Sequence, residues 1–346
     1  MKICCAKNPC FCTGGWQIHQ EKTLLWHGGV GCNDIMPIFG LGIRKLAHII
    51  AMDTNKKYAV GVDIGGSHIT SAVVDLENGQ IVGEPATTDV DHTSPAEVIF
   101  SAWTDNLRLL LSEAGHEVRQ IGMAFPGPFD YDKGISWMEH KFAAIHGIDI
   151  GQTLSARLLD FPGLKFKFVN DAGAFALGES SFGAAKGTER VIVLTLGTGV
   201  GSGFVAKGKV VRTGSSVPEG GEVWNLPFHE GIVDEAFSTR WVVGRYKELT
   251  GHQVEGAKEV SMRIEFDEAA RQLFTEFGYR LAEFTIPWLQ KFDSRTLVLG
   301  GNISRSLPIF MQPLQRAYGQ AGLTVEVKGS ILLDKAAMLG AASLFI

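Results

Sequence analysis

Two glycine-rich loops and a few well-placed carboxylates mark where this chain could do chemistry. In VGVDIGGSHITSAVVD (60–75) Asp63 stands just ahead of Gly65, Gly66 and Ser67. In LTLGTGVGSGFV (194–205) the corresponding run holds Thr195, Gly197, Thr198, Gly199 and Gly201. Glycines in such bends allow left-handed backbone and leave room for an anion beside the N–H groups. Two loops of this kind could hold the two ends of a triphosphate. A carboxylate at Asp63 cannot attract phosphate, but it can hold Mg2+ through water, and the ion neutralises phosphate oxygens. A third pair, Gly300 and Gly301 in LVLGGNIS (297–304), ends another apolar run. The alternative is that these glycines only make tight turns.

The elements around the loops set their geometry. YAVGVDIG, ITSAVVDL and QIVGEPATTD read as three strands, with ENGQ as the turn between the second and third. The first glycine loop therefore joins strand to strand, not strand to helix. SPAEVIFSAWTDNLRLLLSEAG reads as a helix with a capping box, Ser94 at the cap, Pro95 at the first position and Glu97 reaching back. A strand, KFKFVN, then ends in the polar pair Asn170-Asp171 at a helix start. The second loop repeats the theme, with a tight turn at Lys207-Gly208, a long amphipathic helix near 267–291 and a closing helix in DKAAMLGAASLF. A β-loop-β unit occurring twice, each time followed by helix and strand, predicts two similar α/β domains facing across a cleft.

The chain has 346 residues, 45% apolar and 20% charged, which suits a globular protein of two domains. A net charge of -5 without a long basic run argues against a nucleic-acid partner. No apolar run approaches the ~18 residues of a membrane span. All five cysteines lie within the first 32 residues, so the body can hold neither a disulfide nor a cysteine-bound zinc, which suits a reducing cytoplasm. MKICCAKNPCFCTGGWQIHQ has neither strand alternation nor helical period, and IRKLAHIIA offers at most one short helix. A Cys/His metal site there matches no zinc template. A secretory signal would need a uniform apolar core before its cleavage site. The expectation is an irregular extension over residues 1–55, most of it upstream of a native start at Met52.

Together these motifs resemble the phosphate and adenosine motifs of sugar kinases with an actin-like ATPase fold. AFPGPFD (124–130), FVNDAGAFALGE (168–179) and EGGEVW (219–224) narrow the resemblance to the ROK family of repressors and sugar kinases, over residues 57–346. The resemblance implies an α/β, ribonuclease H-like fold of two domains, 56–171 and 172–332, with the 333–346 helix packing back on the first. It implies ATP-dependent phosphorylation of a hexose hydroxyl, with glucose the default acceptor. Asp171 would be the general base, since a carboxylate in reach can orient a weakly nucleophilic hydroxyl and take its proton. Alternatively, Asn170 and Asp171 only cap the helix. Asn170, Gly127 and Glu222 would face the sugar. Asp63, Gly65, Gly66, Ser67, Thr195, Gly197, Thr198, Gly199, Gly201, Gly300 and Gly301 would face nucleotide and Mg2+.

The chain also departs from the family pattern. Asn225 stands where a histidine is usual, and no cysteine-rich zinc loop follows. No zinc is expected, and Trp224, Phe228 and Phe237 would organise the sugar pocket by packing. Asp234 best matches the later sugar-binding glutamate, with Glu235 its rival, and His229 is a candidate substitute for the missing histidine. Lys141 replaces a sugar-touching asparagine and could pair with a carboxylate, reach phosphate, or only meet solvent. Related kinases are often dimers, and a homodimer is carried as an expectation. A sugar-responsive repressor is a second reading, but residues 1–51 lack a recognition-helix pattern. A catalytically silent sugar sensor is a third. Polyphosphate is an alternative donor.

Overall fold

Valine and isoleucine crowd the central strands because helices cover both of their faces. The computed structural model describes residues 57–114 and 118–346, with two short strands, Trp16–Ile18 and Leu24–Trp26. In β1 (Tyr58–Ile64), Val60, Val62 and Ile64 enter one apolar cluster while Ala59 enters another. That alternation is the period-two geometry of a strand. β2 (His68–Asp75) and β3 (Gln80–Asp89) turn back antiparallel beside it. Helix α1 (Ala96–Ala114) then lays Ile99, Phe100, Trp103 and Leu107 on the Val60 face. β4 (Gln120–Phe125), the short α2 (Ile150–Arg157) and β5 (Lys165–Asn170) follow, and β4 and β5 extend the sheet in parallel. Helix α3 (Asp171–Ser181) leaves β5 without an intervening loop.

The second sheet repeats this plan. β6 (Arg190–Leu196), β7 (Val200–Ala206) and β8 (Lys209–Val210) are antiparallel neighbours. Lys207 and Gly208 both have positive φ, as the expected tight turn requires. Helices α4 (Val233–Phe237), α5 (Thr239–Thr250), α6 (Ala257–Met262) and α7 (Glu268–Phe292) come next. β9 (Thr296–Gly300), α8 (Leu307–Gln320), β10 (Glu326–Gly329) and α9 (Ala336–Ser343) complete the order. Ile192, Leu194 and Leu196 of β6 join Phe274 and Phe277 of α7 and Phe310 of α8 in the largest core cluster. Strand order is β3-β2-β1-β4-β5 in one sheet and β8-β7-β6-β9-β10 in the other. The doubled loop read from the sequence is therefore a doubled sheet, and the chain has the mixed α/β, actin-like fold the resemblance implies.

Helices α3 and α9 pack together between the sheets at distances only glycine allows. A Cβ at Gly122 of β4 would lie 1.8 Å from the Ala341 carbonyl oxygen, and one at Gly61 of β1 would lie 2.1 Å from that of Met338. One at Gly340 would lie 1.7 Å from the Ala174 carbonyl oxygen on α3. Helix α9 thus seats against the first sheet and α3 alike, and this seam fixes where α3 begins.

Two local expectations are corrected. Trp16–Ile18 pairs antiparallel with Leu24–Trp26 where no strand was read, because three-residue strands are too short to show alternation. The expected helix in IRKLAHIIA lies outside the described residues. The capping box also fails to form. Both oxygens of Glu97 accept from Arg157 on α2, and the Ser94 amide donates to the Asp91 carbonyl. A bidentate arginine outcompetes one backbone amide for the carboxylate.

Candidate active site

The ends of β1, β5, β6 and β7 open on a cleft of about 1690 Å³ between the two sheets. The sheet register explains the convergence. Asp63 pairs with Thr70 and Ala124 at the end of β1, and Thr195 pairs with Gly201 and Gly300 at the end of β6. Asp63, Gly65, Gly127, Lys141, Asn170 and Asp171 line the cleft from the first half and from the start of α3. Thr195, Gly199, Gly201, Glu222 and Asp234 line it from the second.

At the β5–α3 junction the two polar residues divide the work. Asn170 is the cap, its Oδ1 accepting from the Ala172 and Gly173 amides at 3.0 and 3.1 Å. Its Nδ2 donates to the Tyr131 hydroxyl at 3.2 Å, so much of its hydrogen-bonding capacity serves the protein. Asp171 accepts from the Ala172 amide at 2.8 Å and otherwise faces the cleft. Protein crowds the Asp171 carboxyl beyond its solvent-facing side. Burial raises its pKa above the ordinary range, the Ala172 amide and Lys141 ammonium draw it down, and Glu222 pushes it up again.

Asp63 faces Asp171. Burial first, then that neighbouring carboxylate, push its pKa up to about 6, with His68 acting in the opposite sense. Its stabilising contribution is present below the ordinary 3.8 and is lost as pH rises through about 6. Near neutrality the fold therefore holds an uncompensated carboxylate, which a divalent cation would relieve. Among the described residues no cluster of three metal-ligating side chains occurs. Mg2+ takes one or two carboxylates and otherwise water and phosphate oxygens. We expect the acid limb of kcat/KM to fall with an apparent pKa above the ordinary carboxylate range. Lys141→Met should raise it further, because the ammonium lowers Asp171; a limb that stays put would remove Lys141 from this role.

Not every expected residue lies on the cleft wall. Gly66, Ser67, Gly197, Thr198, Gly300 and Gly301 do not line the cleft wall. The amides of Gly66, Ser67, Thr198 and Gly199, at the two hairpin tips, meet no acceptor among the described residues. Gly197 donates to Gly199 at 3.0 Å and accepts from Thr239. Gly301 has φ 78 and sits against the Leu196 carbonyl, a conformation and a clearance that a side chain would spoil. Asn225 is exposed outside the cleft, and His229 pairs with Glu283 at 3.0 Å away from it. Neither stands in for a sugar-facing histidine, because the turn at 229–230 points this segment toward α7. Glu235 binds the Ile232 amide, leaving Asp234 as the carboxylate of that pair in the cleft. Even Asp234 is engaged, accepting from the Val200 amide at 2.7 Å and pairing with Arg240 at 2.7 Å. Trp224 lines the cleft and donates to Glu222 at 2.9 Å, whereas Phe228 and Phe237 meet as tilted rings 5.2 Å apart outside it.

Tyr131 and Arg212 were not anticipated. Arg212, just beyond β8, spans the cleft mouth to Asp132 at 2.8 Å and covers the Tyr131 ring at 5.6 Å. Tyr131 adjoins the AFPGPFD motif, so its aromatic hydroxyl beside a loop glycine was an available signal. Arg212 gave none, since its partner is remote in sequence. Lys141 is exposed to the cleft, and the next residue, Phe142, is buried with φ 51. A left-handed backbone is costly for a phenylalanine, and packing on Trp103 at 5.5 Å holds it there.

The ROK family pattern covers residues 59–346. The chain belongs to the ROK family. A glucokinase of Thermotoga maritima is 28% identical over 312 residues, spanning 82% of this chain and 96% of that protein. A ROK family glucokinase of Streptomyces griseus, in complex with glucose and AMPPNP, superimposes with a TM-score of 0.61 at 26% identity, over 83% of this chain and 99% of that one. The xylose repressor of Bacillus subtilis is 22% identical, over 84% of this chain and 78% of the repressor. ROK relatives of this chain thus include both sugar kinases and a regulator. Among the described residues no helix is long and apolar enough to cross a membrane.

Proposed function

We propose that this ROK protein transfers the terminal phosphoryl group of ATP to a hexose hydroxyl, with Asp171 as general base and glucose the first acceptor to test. The observation that carries this is the placement of Asp171. Its carboxyl faces the cleft from the start of α3, opposite Asp63, while Asn170 takes over the capping. A base in that position can accept the hydroxyl proton as the new P–O bond forms, leaving ADP and a sugar phosphate.

The surrounding groups have roles that follow from their chemistry. The unpaired amides at both hairpin tips suit phosphate oxygens. Asp63 would hold Mg2+, which when bound neutralises charge on the phosphate tail. Glu222, kept in place by Trp224, would accept hydrogen bonds from sugar hydroxyls, with Gly127 allowing close approach on the facing side. Asp234 acts on the site by fixing the Val200 amide and so the second hairpin. The sulfur-free loop at 225–238 leaves acceptor shape to side-chain packing.

A coupled ADP-release assay over hexoses and their N-acetyl derivatives, with ATP or polyphosphate as donor, tests the proposal. Turnover of at least one hexose is expected. Tight sugar binding without ADP release would instead support a silent sensor. Neither binding nor release would reject the reading.

A further inference from the structure

A second cavity, of about 420 Å³, opens away from the cleft beneath the hairpin at 227–232. Its wall is the segment that replaces the family's zinc loop, closed by Trp241 of α5 and Arg280 of α7. The Arg280 guanidinium lies 5.5 Å from the Phe228 ring centroid and 5.3 Å from that of Trp241. Two aromatic faces thus hold a planar cation in place. Its Nε is buried without a hydrogen-bond partner, and Arg280 forms no ion pair among the described residues.

Neighbouring carboxylates do not fill that gap. On the same face of α7, Glu276 is taken by Arg245 at 2.9 Å and Glu283 by His229 at 3.0 Å. Glu235 accepts from the Ile232 amide at 3.2 Å. Glu230 lines the cavity but stays clear of Arg280 and pairs with nothing among the described residues. The Nε is sealed from solvent, so a ligand in the cavity would meet the guanidinium through its terminal Nη groups. A guanidinium is suited to a planar or tetrahedral oxyanion, which it binds through paired N–H groups. The acidic rim adds a second requirement, because carboxylates accept from hydroxyls and repel a bare anion. The cavity also lies within the size range of small-molecule sites.

We propose that this cavity binds a hydroxylated oxyanion, a sugar phosphate or a sugar acid, with the oxyanion on Arg280 and the hydroxyls toward Glu230 and Glu235. Such a ligand would act on the cleft through α4. Glu235 lines the cavity, and its neighbour Asp234 holds the Val200 amide of the second hairpin. That effector role rests on the kinase reading; the binding itself does not.

Calorimetry on the full chain tests the site with glucose 6-phosphate, gluconate, inorganic phosphate and glucose as probes. Glucose reports the cleft; with it saturating, at least one of the first two should bind more tightly than inorganic phosphate, and which one does so identifies the source of the oxyanion. Arg280→Met, which keeps an apolar stem between the rings, should weaken that binding about tenfold or more. Arg280→Lys keeps the charge but loses the fork, and should weaken it less. Glu222→Gln, altered in the cleft, should leave it unchanged. Undiminished binding in both Arg280 variants, loss confined to Glu222→Gln, or no binding of either probe would overturn the proposal. The ligand that binds should also change the ADP-release rate of the wild type and not of Arg280→Met. If no acceptor is turned over, the kinase reading fails while the calorimetric result still decides the site.

Discussion

Asp171→Asn should fold as the wild type does and lose nearly all turnover. The amide oxygen of Asn can still accept from the Ala172 amide, and the cap resides on Asn170, so α3 keeps its start. What disappears is a group able to take the hydroxyl proton. Loss of a general base lowers rates by about 10²–10⁴-fold. Misaimed hydroxyls add to that loss, since orientation contributes separately. Thermal melts should superimpose while kcat falls, with sugar affinity changed far less. Near wild-type turnover in the variant would remove Asp171 from the mechanism.

The second large effect concerns stability. Gly122→Ala adds one methyl group where the nearest atoms are the Ala341 carbonyl oxygen at 1.8 Å and its carbon at 2.5 Å. Backbone cannot swing aside like a side chain, so α9 must lift from the first sheet. We expect a loss of about 3 kcal/mol in urea unfolding. The same change at Gly244, inside α5 with nothing within 4 Å, should stabilise by up to about 1 kcal/mol through helix propensity. Equal midpoints for the two variants would mean that the α9 seam is softer than its geometry. Turnover should fall with Gly122→Ala too, because α9 supports α3 and α3 carries Asp171.

What could be read from the sequence was local. Asp63 before its glycines, the Lys207-Gly208 turn and the Asn170-Asp171 pair each state their geometry within a few residues, and the doubled loop carried the two-sheet plan. Features decided by remote partners were hidden. Glu97 looked like half of a capping box because Arg157, sixty positions away, left no trace beside it. Phe228 and Phe237 looked like pocket walls since aromatic residues near a site do not reveal which core they join. Arg280 was silent for the same reason, its neighbours arriving from a hairpin and from α5.

Arg212 and Asp132 give the mouth of the cleft a further property. Their contact reaches from one sheet's loops to the other's, and the Asp132 side chain is largely bathed in solvent. Exposed pairs of this kind contribute about 0–1 kcal/mol and fade as the ionic atmosphere thickens. Thermal breathing can part such a fastening freely, so small molecules need not wait on a heavy door. Added salt should then loosen this one fastening and leave the rest of the hold between the two halves unaltered.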